Sequence, residues 1–163
     1  MKKNITMFLV FSLLITMLLA YGVSAEVVSG NCGADGDNVT WEFDTLNRVL
    51  TISGKGKMQD FDLYPSLWHT YPSSPWFNDN NMEMISTVII RDGVTSIGDY
   101  AFDRYLSYNN NIREIYIPAS VTSIGKSAFG GCANISAVYL SDIAAWCNID
   151  FEDRSSPFAF SQN

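Results

Sequence analysis

The sequence predicts an α/β solenoid: a short stack of coils with parallel strands on one face and short helical turns on the other, closed at its N-terminus by a β-hairpin cap. Three observations predict it. The block Val-Thr-Ser-Ile-Gly, two variable residues, then Ala-Phe runs from Val94 to Phe102 and again from Val121 to Phe129, an offset of 27. An apolar-x-x-apolar-x-apolar pattern precedes each block and occurs a third time at Ile135, Val138 and Leu140. Upstream, Val39, Trp41 and Phe43 alternate with polar residues before a turn and a second apolar run, Leu50-Thr51-Ile52. A single coil cannot bury its own apolar side, so stacking is what makes the core.

The chain begins with Lys2 and Lys3, an uncharged apolar run from Met7 to Ala20, and the short side chains Val23-Ser24-Ala25. These are the parts of a secretory signal peptide, residues 1–25, cleaved before Glu26. The rival reading is an uncleaved anchor, because a membrane crossing needs about 20 residues and the stretch from Asn4 to Ala25 is long enough. Under either reading the rest of the chain is expected outside the cell, secreted or at the surface. No cysteine follows the run to mark a lipoprotein.

Residues 26–84 read as the cap. Asp35-Gly36-Asp37 would turn the chain into the hairpin, and Thr45-Leu46-Asn47 would join its two strands. The cap is expected to cover the open end of the first coil. From Phe61 to Asn81 the chain is dense in aromatic, Pro, Ser and Asn residues without a clean period, which predicts an irregular loop. Tyr64, Trp68 and Tyr71 within it could form a glycan platform, since aromatic faces beside polar groups suit sugars. Trp76 and Phe77 are expected to pack under the cap.

Residues 85–163 read as the repeats, two clear and one partial. The third begins 23 residues after Ile115, so the first carries four extra residues, placed in the polar segment Tyr105–Asn111. Periods of 20 to 29 residues are those of leucine-rich repeats. Strand alternation turns Val88/Ile90, Ile115/Ile117 and Val138/Leu140 inward and leaves Ile89, Tyr116 and Tyr139 as an outer ladder with rungs about 4.8 Å apart. Gly98 and Gly125 fit a tight turn, and the Ala-Phe pairs fit a helical turn whose ring fills the gap between coils. Ser161-Gln162-Asn163 follows without an evident polar cap, so Phe158 and Phe160 are expected to be exposed. Truncation, a fragmentary gene product, and an end that docks on another chain all remain open.

The repeated block, followed by Gly131-Cys132-Ala133-Asn134-Ile135 and a strand, resembles the bacterial BspA-type leucine-rich repeat family. Ser29-Gly30-Asn31-Cys32-Gly33, Val39-Thr40-Trp41, the run Leu50 to Met58 and Pro75-Trp76 are similar to the N-terminal capping region of such proteins. Ala144 to Phe151 resembles a variant repeat. The resemblance implies a surface or secreted repeat protein; a repeat scaffold hosts many partners, so it does not name one.

Chemistry has little to work with. The 163 residues, 47% hydrophobic and 13% aromatic, suit about one domain. Ten basic and 17 acidic residues give −7, and loss of Lys2 and Lys3 takes it to −9. That balance repels phosphate backbones, so nucleic acid is not an expected partner. One histidine, His69, and three cysteines, Cys32, Cys132 and Cys147, offer no zinc spacing and no nucleophile elbow. The cysteines are expected to be buried thiols, with a single disulfide as the alternative. Gly125-Lys126-Ser127 lacks the upstream glycine of a phosphate loop, and Asp35-Gly36-Asp37 lacks the later ligands of a calcium loop. Two carboxylates suffice for a glycosidase, but the acids fall in turns and variable outer positions. No cofactor, metal or enzymatic activity is expected. The expected function is protein binding or adhesion through the strand face, with Ile89, Tyr116 and Tyr139 supplying apolar area and Arg91 and Arg113 charged hydrogen bonds at the margins. A host or neighbouring-cell protein is the expected partner, and the alternative is a glycan held by Tyr64, Trp68 and Tyr71.

Overall fold

The computed structural model describes residues 26–62, 73–77, 84–103 and 111–158. The leader, the loop residues 63–72 and most of the four-residue insertion lie outside them. Two sheets face each other across one core. The strands are β1 (Val27–Gly33), β2 (Gly36–Asp44), β3 (Val49–Gly54), β4 (Gly56–Lys57), β5 (Thr87–Ile90), β6 (Val94–Ile97), β7 (Glu114–Ile117), β8 (Ser123–Ile124), β9 (Ala137–Leu140) and β10 (Asp150–Phe151). Between β9 and β10 lies the helix α1 (Ile143–Cys147), and Pro75–Phe77 form one 3-10 turn. The six-stranded sheet runs β1-β2-β3-β5-β7-β9, and the four-stranded sheet runs β10-β8-β6-β4. Each coil therefore gives one strand to each sheet. Among the described residues no helix is long and apolar enough to cross a membrane.

The hairpin forms as its alternation requires, with Val39, Trp41, Phe43, Leu50 and Ile52 buried on one face. Asp44 sets the turn: its Oδ1 accepts from the N–H groups of Leu46 and Asn47, both at 3.0 Å. The Asn47 N–H, together with Asn47 Nδ2 donating to Oδ2 at 2.7 Å, holds the Asp44 carboxyl below its ordinary range, with a smaller part from the Leu46 N–H. The sequence reading missed β1, which pairs antiparallel with β2 and makes the cap a three-stranded meander. The turn between them includes Gly36 in the left-handed region, φ 90°. The cap also does not simply cover the first coil. Strand β3 pairs parallel with β5, Leu50 beside Val88 and Ile52 beside Ile90, and β4 pairs parallel with β6. The second hairpin strand is thus the first rung of the stack, and residues on both sides of position 84 share one core.

The repeat offsets appear as hydrogen-bonded register. Val88 pairs with Ile115, Ile115 with Val138, and Ile97 with Ile124. Val88 and Ile115 are fully buried, as are Phe102 and Phe129, whose rings stack with centroids 5.3 Å apart. Trp76 continues that column from the cap side, 5.5 Å from Phe102, and its Nε1 donates to the Ala101 carbonyl at 3.0 Å. Trp76 is buried and Phe77 half-buried.

Two expectations are corrected here. The Ala-Phe blocks lie in hydrogen-bonded turns rather than helical ones, because Tyr100 at φ 52° and Ser127 at φ 48° enter the left-handed region and break any helix. Their place opposite the outer ladder is taken by a second sheet. Gly98 and Gly125 do open tight turns, their carbonyls accepting from the N–H groups of Ala101 and Ala128 at 3.4 and 3.2 Å, and close approach between coils requires them as well: a Cβ at Gly98 would strike the carbonyl of Gln59, and one at Gly125 the carboxylate of Asp99. The cysteine expectation holds for Cys32 and Cys132 but not for Cys147, which is exposed; all three are free thiols. Burial pushes the Cys32 thiol up to about 12.

A second tie runs along the turns. Asp60 Oδ1 accepts from the N–H of Asp99 at 3.0 Å, and Asp99 Oδ1 accepts from the N–H of Lys126 at 2.7 Å. Each aspartate thereby satisfies a backbone donor of the next coil that a left-handed turn leaves unpaired. Desolvation raises the Asp99 carboxyl above its ordinary value, with a smaller contribution from Asp60 and opposition from the Lys126 N–H.

Phe102 has rings on both faces, so Phe102→Ala should lower stability by about 3–5 kcal/mol, read from chemical denaturation. A carboxyl raised in the folded state stabilises below its unfolded value and loses that contribution as pH rises through its folded value. Asp99→Asn keeps the acceptor oxygen, so denaturation at a series of pH values should show the gap between variant and wild type moving in the variant's favour as pH rises from about 4.

Candidate functional site

Parallel register brings the predicted ladder together. Ile89 pairs with Tyr116 and Tyr116 with Tyr139, all three on the outer face of the six-stranded sheet. In-register strands repeat about every 4.8 Å, which lets like side chains stack. The Tyr116 and Tyr139 rings do so, with centroids 4.3 Å apart and planes 14° from parallel. Ile89 and Tyr116 are half-buried, whereas Tyr139 at the edge is 45% exposed. Desolvation holds the Tyr116 hydroxyl above the ordinary tyrosine range, assisted by the Glu114 carboxylate and by Tyr139.

Toward the C-terminal ends of these strands the face sinks into a depression of about 310 Å³. Ile89, Arg91, Tyr116, Pro118, Tyr139 and Ser141 line it. Four of the five predicted ligand residues thus converge. Arg113 does not: it precedes β7, at the opposite end of the strands, where its carbonyl accepts from the N–H of Ser136 at 2.8 Å. Tyr64, Trp68 and Tyr71 lie outside the described residues, as does His69.

The sequence reading missed how far the ladder extends. Thr51 pairs with Ile89, Glu42 with Thr51, and Ser29 with Glu42, so the row crosses all six strands. The signal was available: Leu50-Thr51-Ile52 has the same inward-outward-inward pattern as Val88-Ile89-Ile90. Pro118 and Ser141 were also missed, being one alternation beyond the tyrosines.

The four-stranded sheet carries a second hollow, about 480 Å³, with Lys57, Asp60, Asp99 and Glu152 on its walls. Asp60 and Asp99 are committed to the backbone bonds between coils. Among the described residues no group of three or more His, Cys, Asp or Glu could hold a metal ion.

Residues 74–148 match the family model described as the BspA type leucine-rich repeat region, six copies. That stretch of the chain is similar to the repeats of the BspA-type leucine-rich repeat family. The crystal structure of a leucine-rich repeat protein from Eubacterium ventriosum is similar, at 26% sequence identity and a TM-score of 0.54 over 77% of this chain. The likeness spans only 28% of that protein's length. No curated protein matches the sequence. The BspA-type match agrees with the stacked coils, the parallel sheet and the buried Ala-Phe columns. Proteins of this family are typically bacterial and secreted or surface-borne, leucine-rich repeats generally bind proteins, and the family is generally non-enzymatic.

Removing the carboxylate beside Tyr116 should ease its ionisation. Glu114→Gln is expected to lower the Tyr116 titration midpoint, read as tyrosinate absorbance in difference against Tyr116→Phe.

Proposed function

We propose that this chain is a non-catalytic secreted or cell-surface protein that binds a protein partner across the outer face of its six-stranded sheet, with adhesion to a host or neighbouring cell as its role. The observation that carries this reading is the convergence of Ile89, Tyr116, Tyr139 and Arg91 on one depression. Aromatic and arginine side chains in a concave patch are the groups that dominate binding energy at protein interfaces. The stacked tyrosines present rigid area and lose little entropy on binding. Arg91 at the rim offers planar donors to a partner carboxylate or carbonyl. The leader at residues 1–25 supports export.

The reading is tested by panning a displayed library of protein domains on the immobilised chain. Tyr116→Ala combined with Tyr139→Ala should weaken a selected domain at least about tenfold, a loss of about 1.4 kcal/mol. Arg91→Ala should weaken it less, and Arg113→Ala should leave it unchanged because Arg113 lies outside the depression. Circular dichroism checks that the double variant stays folded. Selected domains indifferent to the double substitution would remove the strand face from consideration.

A further inference from the structure

The stacked pair on the outer face has a chemistry that binding does not use. Tyr116 and Tyr139 are partners in the parallel register of β7 and β9. Their backbones are one rung apart, about 4.8 Å, and both side chains leave the sheet in the same direction. The rings lie 4.3 Å centroid to centroid and 14° from parallel. Two phenols of like orientation at that separation hold the Cε carbons, ortho to the hydroxyls, next to each other. The pairing of β7 with β9 alone sets this geometry, and strand alternation turns it to the outer face.

Both tyrosines line the depression of about 310 Å³, which gives solvent access to the pair. The Tyr116 hydroxyl is hydrogen-bonded to the Glu114 carboxylate, which is placed to take its proton. The other described tyrosine, Tyr100, is placed differently. It follows β6 in a turn, with the Lys126 ammonium 5.9 Å from its ring centroid, and a cation there opposes removal of an electron.

We propose that Tyr116 and Tyr139 are a site of oxidative modification, joined into an intramolecular dityrosine that ties two successive coils together. The oxidant is hydrogen peroxide acting through a haem peroxidase, which removes one electron and one proton from each hydroxyl. The two phenoxyl radicals couple through one Cε of each ring. Each coupled carbon then gives up its hydrogen as a proton, and each phenolic oxygen regains one. The balance is two C–H bonds broken, one C–C bond formed, and the peroxide reduced to two waters. Stacking supplies what coupling between copies lacks, two radicals held in contact at a high effective concentration. The bond closes residues 116 to 139 into a covalent loop, and a cross-link of this kind stabilises chiefly by restricting the unfolded chain.

This inference does not depend on the strand-face ligand. The purified chain, expressed from its full sequence and with its exposed Cys147 thiol alkylated, is treated in dilute solution with a haem peroxidase and hydrogen peroxide. A monomer lighter by two hydrogen atoms and carrying dityrosine fluorescence is expected. Trypsin cuts after Arg113, Lys126 and Arg154, so the cross-link should appear as residues 114–126 joined to residues 127–154. Tyr116→Phe and Tyr139→Phe keep the two rings and should each abolish that species. Unfolding the chain in urea before oxidation should lower its yield at least tenfold. The cross-linked chain should unfold at a higher urea concentration than the untreated one. Absence of the joined peptide, an equal yield from the unfolded chain, cross-links only between copies, or an unmoved unfolding midpoint would overturn the proposal.

Discussion

Everything in this molecule depends on one constraint: successive coils are hydrogen-bonded in parallel register, so each position lies directly over its equivalent at a spacing of about 4.8 Å. Flat rings tolerate that repeat, which is why Phe102 and Phe129 stack inside and Tyr116 and Tyr139 stack outside. The same spacing brings turn backbones too close for a side chain at Gly98 or Gly125. It also leaves the turn N–H groups without partners in their own coil, and Asp60 and Asp99 supply them from the coil before. Core, surface ladder and turn chemistry are three consequences of one register.

The cap obeys the same rule, and this changes what a cap does here. A hairpin laid on an open end would bury apolar area without fixing where the first coil sits. Strand β3 instead pairs with β5 through its backbone, and Trp76 supplies the ring that a preceding coil would have placed against Phe102. The first coil is therefore held by hydrogen bonds on the sheet and by stacking inside. The cap imitates a repeat with residues that share none of the repeat sequence.

That imitation explains what the sequence made legible. Positions repeated by chemistry as well as geometry, such as Val88/Ile115/Val138 and Ala101-Phe102/Ala128-Phe129, are readable because one coil predicts the next. The outer triad Ile89, Tyr116 and Tyr139 followed from strand alternation alone. Thr51, Glu42 and Ser29 continue the same row without resembling it, so a search for like residues passes over them. The left-handed backbone at Tyr100 and Ser127 was hidden for a different reason: neither residue type advertises a positive φ, and Ala-Phe beside it fits a helical turn equally well on paper. Gly98 and Gly125 did advertise a backbone requirement, but proximity and torsion call for the same residue. Arg113 was paired with Arg91 because both stand at strand margins, and only the strand direction shows that the margins are opposite ones.

The dimensions of the face limit what one copy can hold. Six strands at about 4.8 Å give a width of roughly 24 Å, and a four-residue strand adds about 13 Å in the other direction. The product, near 300 Å², falls well short of the roughly 800 Å² per partner of a standard protein interface. A partner held by one copy must therefore reach the rim at Arg91, Pro118 and Ser141, or bind weakly.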